Sequence, residues 1–135
     1  MIYSILIITD DVIFPHYFIS LLARDVETVS VVVCNSFNDI DSNLTSLDCK
    51  LIILDGALNR FSSIEVIHHL RFVRHTTVPI WFFPEVRHEE YIDKSKETGA
   101  TRIIMKPFDP YLICGEIETL IEAEMLSVDN LELQK

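Results

Sequence analysis

Cationic side chains are scarce in this chain, where 11 Lys and Arg residues are outnumbered by 21 Asp and Glu, for a formal net charge of −10. That balance argues against direct nucleic-acid binding, which depends on cations that contact phosphates. Cysteine is also scarce. Cys34, Cys49 and Cys114 are odd in number and far apart, which excludes a disulfide framework and predicts reduced, mostly buried thiols.

No apolar run approaches the roughly 20 residues that a membrane-spanning helix needs, so no membrane contact is expected. The run Ile2–Ile8 predicts a strand, since it lacks the basic start and small-residue cleavage site of a secretory leader. We therefore expect a cytoplasmic protein. With 135 residues, 49% of them hydrophobic, the chain can form one domain with its own core. We assign that domain to residues 1–126 and predict a polar tail over 127–135.

Short apolar runs, nearly continuous in Ile, Leu, Val and Phe, recur along the chain. They are Ile2–Ile8, Val29–Cys34, Leu51–Leu54, Val78–Phe83 and Ile103–Met105. Such runs are typical of parallel strands that helices cover on both faces. Successive runs begin roughly 20 to 30 residues apart, which allows a helical crossover and is too far for a hairpin.

Helix signals lie between the runs. Ser62 and Glu65 form a capping box before the third helix, and Asp109 followed by Pro110 marks the start of the fifth. The second helix, around Ile40–Leu47, should be short or frayed because its Asn, Asp, Ser and Thr side chains compete with helical hydrogen bonds. Inward-facing stripes are predicted at Ile64, Ile67, Leu70 and Val73 in the third helix and at Ile113, Ile117, Leu120 and Ile121 in the fifth.

Alternating strands and helices predict an α/β fold with a doubly wound, five-stranded parallel sheet in the order 2-1-3-4-5. Asp10 and Asp11 follow the first strand, Asp55 follows the third, and Lys106 follows the fifth. These side chains should meet at the carboxyl edge of the sheet, where open α/β sheets bind ligands. Clustered like charges favour a cation. The hypothesis is a divalent metal, with one carboxylate left as a nucleophile toward a phosphoryl group. Without metal, Asp10→Asn or Asp55→Asn should relieve repulsion and stabilise the fold.

In these features the chain resembles the receiver domain, of the chemotaxis-regulator type, of two-component response regulators. The fragments that carry the resemblance are Ile8–Asp11, Ile53–Asp55, Ile64–Ile67, Val78–Ile80, Gly99–Ala100 and Met105–Phe108. The resemblance implies a flavodoxin-like fold with five helices and Mg²⁺-dependent phosphoryl acceptance. It also implies a histidine kinase or phosphotransfer protein as the donor, and a downstream output protein or domain as the recipient of the signal.

The resemblance also implies a role for each site residue. Asp55 would accept the phosphoryl group, Asp11 would bind Mg²⁺ directly, and Asp10 would bind it mainly through water. The carbonyl of Ala57 would be a further metal ligand. Lys106 would pair with the phosphoryl oxygens, and the peptide bond that follows it would be cis. The chemistry suits these residue types, because Mg²⁺ prefers oxygen ligands and a carboxylate can form an aspartyl phosphate.

Several positions depart from the family pattern. The family usually carries Ser or Thr at the end of strand 4, but here Pro84 offers neither a hydroxyl nor an N–H group. Glu85 then adds negative charge where the phosphoryl group would lie. Ile103 replaces the usual aromatic switch residue, Asn59 the usual proline, and Ser62-Ser63 the usual Asp-Gly pair. These departures favour an atypical receiver.

Three functions remain open from the sequence. The first is a phosphorylatable receiver, and the second is a pseudo-receiver that signals by protein contacts without phosphate; both are signalling modules rather than enzymes. The third is a small phosphohydrolase or flavodoxin-like cofactor binder. It is disfavoured because Ala57 stands where haloacid-dehalogenase-like phosphatases have a second Asp. No Gly- or Ser/Thr-rich phosphate loop follows the first strand either.

Overall fold

A parallel sheet forms the centre of the protein in a computed structural model that describes residues 2–22 and 28–133. Within those residues the strands are β1 (Tyr3–Ile8), β2 (Val29–Cys34), β3 (Cys49–Asp55), β4 (Ile80–Phe83) and β5 (Arg102–Ile103). Their order is 2-1-3-4-5, and every neighbouring pair is parallel. The predicted doubly wound α/β fold is therefore confirmed.

Helices connect the strands in the alternation that the sequence predicts. They are α1 (His16–Leu22), α2 (Phe37–Ser46), α3 (Ser63–His68), α4 (Glu89–Thr98) and α5 (Pro110–Leu133), and a π-helical segment (His69–Val73) continues α3. The predicted caps are present at two of them. The hydroxyl of Ser62 accepts from the backbone N–H of Glu65 at 3.1 Å, and the carboxylate of Asp109 accepts from that of Tyr111 at 3.0 Å.

The second helix is longer than predicted and begins before the Ile40–Leu47 segment. Its N-terminus is capped by Ser36, whose hydroxyl accepts from the N–H of Asp39 at 3.1 Å. Polar side chains inside α2 do not open it, because they bond back along the helix. The hydroxyls of Thr45 and Ser46 donate to carbonyls four residues earlier at 2.9 Å each. The expectation of a short or frayed helix was wrong.

The last helix passes through the predicted boundary between domain and tail. The backbone of α5 is helical to Leu133, so it shows no break at residue 126. The inward stripe of α5 is confirmed at Ile113, Ile117 and Ile121, which are buried, but Leu120 is exposed. In the third helical region Val73 is likewise exposed although Ile67 and Leu70 are buried, because the wider π turn rotates the end of that helix away from the core.

Two apolar layers lie on the two faces of the sheet. Alternate residues of β3 belong to different layers: Ile53 contributes to the layer beneath α1 and α5, and Leu54 to the layer beneath α2 and α3. Both faces of the central strands are thus covered, which explains their continuous apolar sequence. The three cysteines are buried and unpaired, as predicted. Burial raises the pKa of Cys34 to about 12 and that of Cys114 to about 11.

The close approach of β3 and β4 at the carboxyl edge can be tested at Gly56. A Cβ atom there would lie 2.6 Å from the backbone N of Glu85 and 2.9 Å from the carbonyl oxygen of Phe83. We expect Gly56→Ala to lower the free energy of unfolding by about 2 kcal/mol, because backbone must move to admit the methyl group.

Gly115 is the matched control, because it lies within α5 and, apart from its chain neighbours and the backbone of its own helix, no atom lies within 4 Å of its Cβ position. Gly115→Ala should stabilise the protein by about 0.5–1 kcal/mol through helix propensity. Thermal or urea unfolding of both variants measures the difference. Equal stability of Gly56→Ala and the wild type would contradict the close packing of the two strand ends.

Candidate functional site

The sheet brings the predicted residues to one edge. Ile8 of β1 pairs with Leu54 of β3, so the segments that follow these strands are neighbours. Asp55 is the last residue of β3 and pairs in register with Phe83 of β4. The chain after β5 returns to this edge, and Lys106 contacts Asp55 there. The juxtaposition expected from the strand order is present.

Asp55 is the most enclosed member of the site, with 0% of its surface exposed. Its Oδ1 accepts a hydrogen bond from Nζ of Lys106 at 2.5 Å and one from the N–H of Ala57 at 3.2 Å. Its Oδ2 accepts from the hydroxyl of Thr9 at 2.6 Å. Both oxygens therefore have protein donors, as a buried charge requires. Asp55 is not one of three mutually repelling, unpaired carboxylates, which removes the premise for expecting Asp55→Asn to stabilise the fold.

Thr9 is a site residue that the sequence reasoning missed. It is 3% exposed, and its hydroxyl also accepts from the N–H of Asp11 at 3.0 Å. One feature of the sequence could have identified it: Thr9 is a hydroxyl side chain that ends an otherwise aliphatic run, directly before the acidic pair. A buried hydroxyl in that place needs hydrogen-bond partners, and here it finds them on the two neighbouring strand ends.

Lys106 bridges two carboxylates. Besides Asp55, its ammonium contacts the carboxylate of Glu85 and lies 5.1 Å from the centre of the Phe14 ring. Burial lowers the pKa of Lys106, but the hydrogen bonds from the ammonium to Asp55 and Glu85 outweigh that effect and raise the pKa above its ordinary value. Lys106 is thus a fixed cation at the site. The peptide bond between Lys106 and Pro107 is cis, as the resemblance implied.

Asp10 and Asp11 lie at the same edge but point to other donors. Oδ2 of Asp10 accepts from the backbone N–H of Asn59 at 2.7 Å, and Oδ1 of Asp11 accepts from that of Ile13 at 3.1 Å. Among residues 2–22 and 28–133, no three His, Cys, Asp or Glu side chains are grouped as metal ligands. The residue types suit Mg²⁺, which prefers oxygen ligands. The arrangement is not a ready-made ligand set, because each carboxylate already accepts from the protein.

The end of β4 supplies no hydroxyl to the site. Pro84 is buried directly after β4 and carries no hydroxyl. Glu85 is 47% exposed at its side chain and pairs with Lys106. Ile103 lies in β5, so an aliphatic side chain occupies the position usually held by the switch residue. The donors that contact Asp55 come instead from the ends of β1 and β5 and from the loop after β3.

Comparison with known proteins identifies the class of this fold and site. The family model described as the response regulator receiver domain matches residues 5–118. The chain belongs to the family of response regulator receiver domains, which are signalling modules. No curated protein matches the chain closely enough to be counted as a relative.

Solved structures agree on the fold. A two-component response regulator from Clostridium difficile superposes with a TM-score of 0.76 at 19% identity, covering 91% of this chain and 98% of that one. The BeF3-activated DrrB receiver domain gives 0.72 at 19% identity, covering 90% and 99%. The chemotaxis response regulator CheY4 of Vibrio cholerae gives 0.72 at 17% identity, covering 88% and 98%. In the parts of this chain that the structure describes, no helix is long and apolar enough to cross a membrane.

The contribution of the Asp55–Lys106 pair to the free energy of unfolding can be compared with that of Lys50, a second lysine with two acidic partners. The two lysine side chains are similarly exposed, at 24% for Lys106 and 28% for Lys50. Their acidic partners differ: Asp55 is 0% exposed, whereas Asp48 and Glu124, the partners of Lys50, are 82% and 37% exposed. In metal-free buffer, we expect Lys106→Met to cost about 2 kcal/mol of unfolding free energy, because it leaves a buried charge without a cation.

Lys50→Met should cost at most about 1 kcal/mol, as is usual for exposed pairs. Urea unfolding in the presence of a chelator measures both variants. Similar losses in the two would show that Asp55 does not depend on the ammonium of Lys106.

Proposed function

We propose that this receiver domain accepts a phosphoryl group at Asp55 and that Lys106 pairs with the oxygens of that group. The observation that carries the proposal is the contact between the buried Asp55 carboxylate and the Lys106 ammonium at the carboxyl edge of the sheet. A carboxylate held next to a fixed cation can act as a nucleophile in phosphoryl transfer, and the cation can stabilise the charge on the transferred oxygens.

The proposed step is a simple displacement at phosphorus. An oxygen of Asp55 attacks the phosphorus of a donor, forming an O–P bond. The bond between phosphorus and the donor breaks, and its electron pair leaves with the donor, which is the imidazole of a phosphohistidine or the acetate of acetyl phosphate. Lys106 stays protonated throughout, consistent with its raised pKa. Its compact charge moves from the carboxylate toward the phosphoryl oxygens.

A magnesium ion is part of the proposal. The carboxylates of Asp10, Asp11 and Asp55 and the carbonyl of Ala57 would hold it, after Asp10 and Asp11 release their present backbone donors. When bound, Mg²⁺ supplies positive charge to the phosphoryl oxygens. We expect weak binding, because the hydrogen bonds from Asn59 and from Ile13 must be given up first.

Receiver domains of response regulators generally interact with histidine kinases and output domains. For this chain we propose a cytoplasmic histidine kinase or phosphotransfer protein as the donor and an output protein or domain as the recipient. Direct nucleic-acid contact is not proposed, because the net charge of −10 opposes it.

A pseudo-receiver is the second candidate, and one observation favours it. The ammonium of Lys106 already has an anionic partner in Glu85, and Pro84 offers no hydroxyl to an incoming phosphoryl group. A phosphoryl donor must therefore compete with a carboxylate of the protein itself. If the phosphoryl donor cannot displace Glu85 from Lys106, the domain would signal through protein contacts alone.

Labelling with acetyl phosphate, followed by intact-mass spectrometry, decides between the two candidates. The wild type should label slowly or incompletely at Asp55. The double variant Pro84→Thr/Glu85→Ala should label on the order of 10-fold faster, because it gains a hydroxyl donor and loses a competing charge.

Glu89→Ala is the matched control for charge, because Glu89 is an exposed residue in the first turn of α4; its labelling rate should equal that of the wild type. The absence of labelling in every variant would support the pseudo-receiver. Rapid, complete labelling of the wild type would show instead that Glu85 does not compete.

Magnesium binding is tested separately by amide NMR. Adding Mg²⁺ to the wild type should shift the amide signals that follow β1 and β3, and Asp11→Asn should weaken the binding at least several-fold, because it removes a carboxylate ligand. Asp93→Asn, at an exposed position of α4, should leave the titration unchanged. An unaltered titration in Asp11→Asn would place the metal elsewhere.

A further inference from the structure

We infer that Thr9 is a positioning residue for Asp55, a role that rests on the proposed function. Its hydroxyl fixes one oxygen of the carboxylate inside the protein and so assigns the other oxygen as the nucleophile. The inference starts from two contacts of one hydroxyl, to Oδ2 of Asp55 at 2.6 Å and to the N–H of Asp11 at 3.0 Å.

The direction of each hydrogen bond is settled by chemistry. The backbone N–H of Asp11 can only donate, so the oxygen of Thr9 accepts from it. A carboxylate can only accept, so the single hydroxyl proton of Thr9 is committed to Asp55. The hydroxyl thus joins the backbone after β1 to the side chain at the end of β3, and it has no freedom to turn elsewhere without breaking one of the two bonds.

Burial makes the two oxygens of Asp55 unequal. Thr9 is 3% exposed and directly follows β1, so the Oδ2 side of the carboxylate is closed by a buried side chain. Oδ1 accepts from the N–H of Ala57 and from Lys106, and Lys106 is a long side chain that is 24% exposed. A donor can reach the carboxylate only where a side chain can move aside, which is the side of Lys106.

The bond to Thr9 therefore assigns Oδ1 as the attacking oxygen. In the step, Oδ1 forms the O–P bond, the bond from phosphorus to acetate breaks, and acetate leaves with the electron pair. Oδ2 becomes the carbonyl oxygen of the acyl phosphate and keeps the hydrogen bond from Thr9, whose proton is not transferred. Because the orientation exists before the donor arrives, less ordering is needed during the reaction.

The test compares Thr9→Val, which keeps the shape and removes the hydroxyl, with Thr9→Ser, which keeps the hydroxyl. With acetyl phosphate and MgCl2, Thr9→Val should label on the order of 10-fold more slowly than the wild type, because the carboxylate loses its orientation. Thr9→Ser should stay within about 3-fold of the wild type. A purely structural role would change stability but not the labelling rate of the folded protein.

A stability measurement tests the bond without any phosphoryl donor. Thr9→Val should lower the melting temperature by roughly 3–6 °C, since a buried carboxylate oxygen loses its donor. The same change in an Asp55→Ala background should lower it by less than half as much. If Thr9→Val does not fold, Thr9→Ala replaces it in both experiments.

The outcomes separate this inference from the proposed function. If the wild type labels and Thr9→Val labels as fast, or if Thr9→Ser is as slow as Thr9→Val, the positioning role is overturned. If no variant labels, the proposed function fails, and the coupling between Thr9 and Asp55 in the melting temperatures still decides whether the hydroxyl orients this carboxylate. Equal shifts in both backgrounds would overturn the inference.

Discussion

The burial of one carboxylate sets the requirements for this end of the molecule. A charge with no exposed surface is costly unless donors surround it, and Asp55 is 0% exposed. Its donors come from the end of β1 through Thr9, from the chain after β5 through Lys106, and from the loop after β3 through Ala57. Only a sheet that places β1 beside β3, and returns the chain after β5 to the same edge, can bring those three donors to one residue. The hydrogen bonding of Asp55 therefore depends on the strand order of the sheet.

The sequence was sufficient for the architecture because the central strands β1, β3 and β4 are buried on both faces. Continuous apolar runs such as Leu51–Leu54 identify strands, their spacing requires crossovers, and right-handed crossovers leave few sheet orders to consider. Once that order is chosen, the positions of Asp55 and Lys106 follow, since a residue at a strand end has little freedom to lie elsewhere. Edge elements were harder to predict. Among the described residues the fifth strand is reduced to Arg102–Ile103, which pairs with β4 at the edge of the sheet.

What the sequence could not supply was the direction of the polar side chains. Asp10 and Asp11 are placed correctly at the edge, yet their carboxylates turn toward backbone N–H groups, a local choice that Asp commonly makes in loops. Thr9 was overlooked because a single hydroxyl does not disturb an apolar pattern. The contact between Glu85 and Lys106 depends on how the loop after Pro84 is shaped. Such contacts arise from tertiary packing, whereas periodicity reports only which face of an element is buried.

Charge balance connects these details to function. In the structure Lys106 contacts two carboxylates, Asp55 and Glu85, and the guanidinium of Arg87 donates to the backbone carbonyl of Lys106 at 3.2 Å. Phosphorylation would replace the single negative charge of the Asp55 carboxylate with about two negative charges on the acyl phosphate. One bridging ammonium cannot neutralise the acyl phosphate and Glu85 together, so either Glu85 must leave or a divalent cation must enter. The two events answer the same electrostatic problem. A receiver that carries a carboxylate at this position can therefore accommodate phosphate in two ways, by moving that side chain away or by binding a divalent cation.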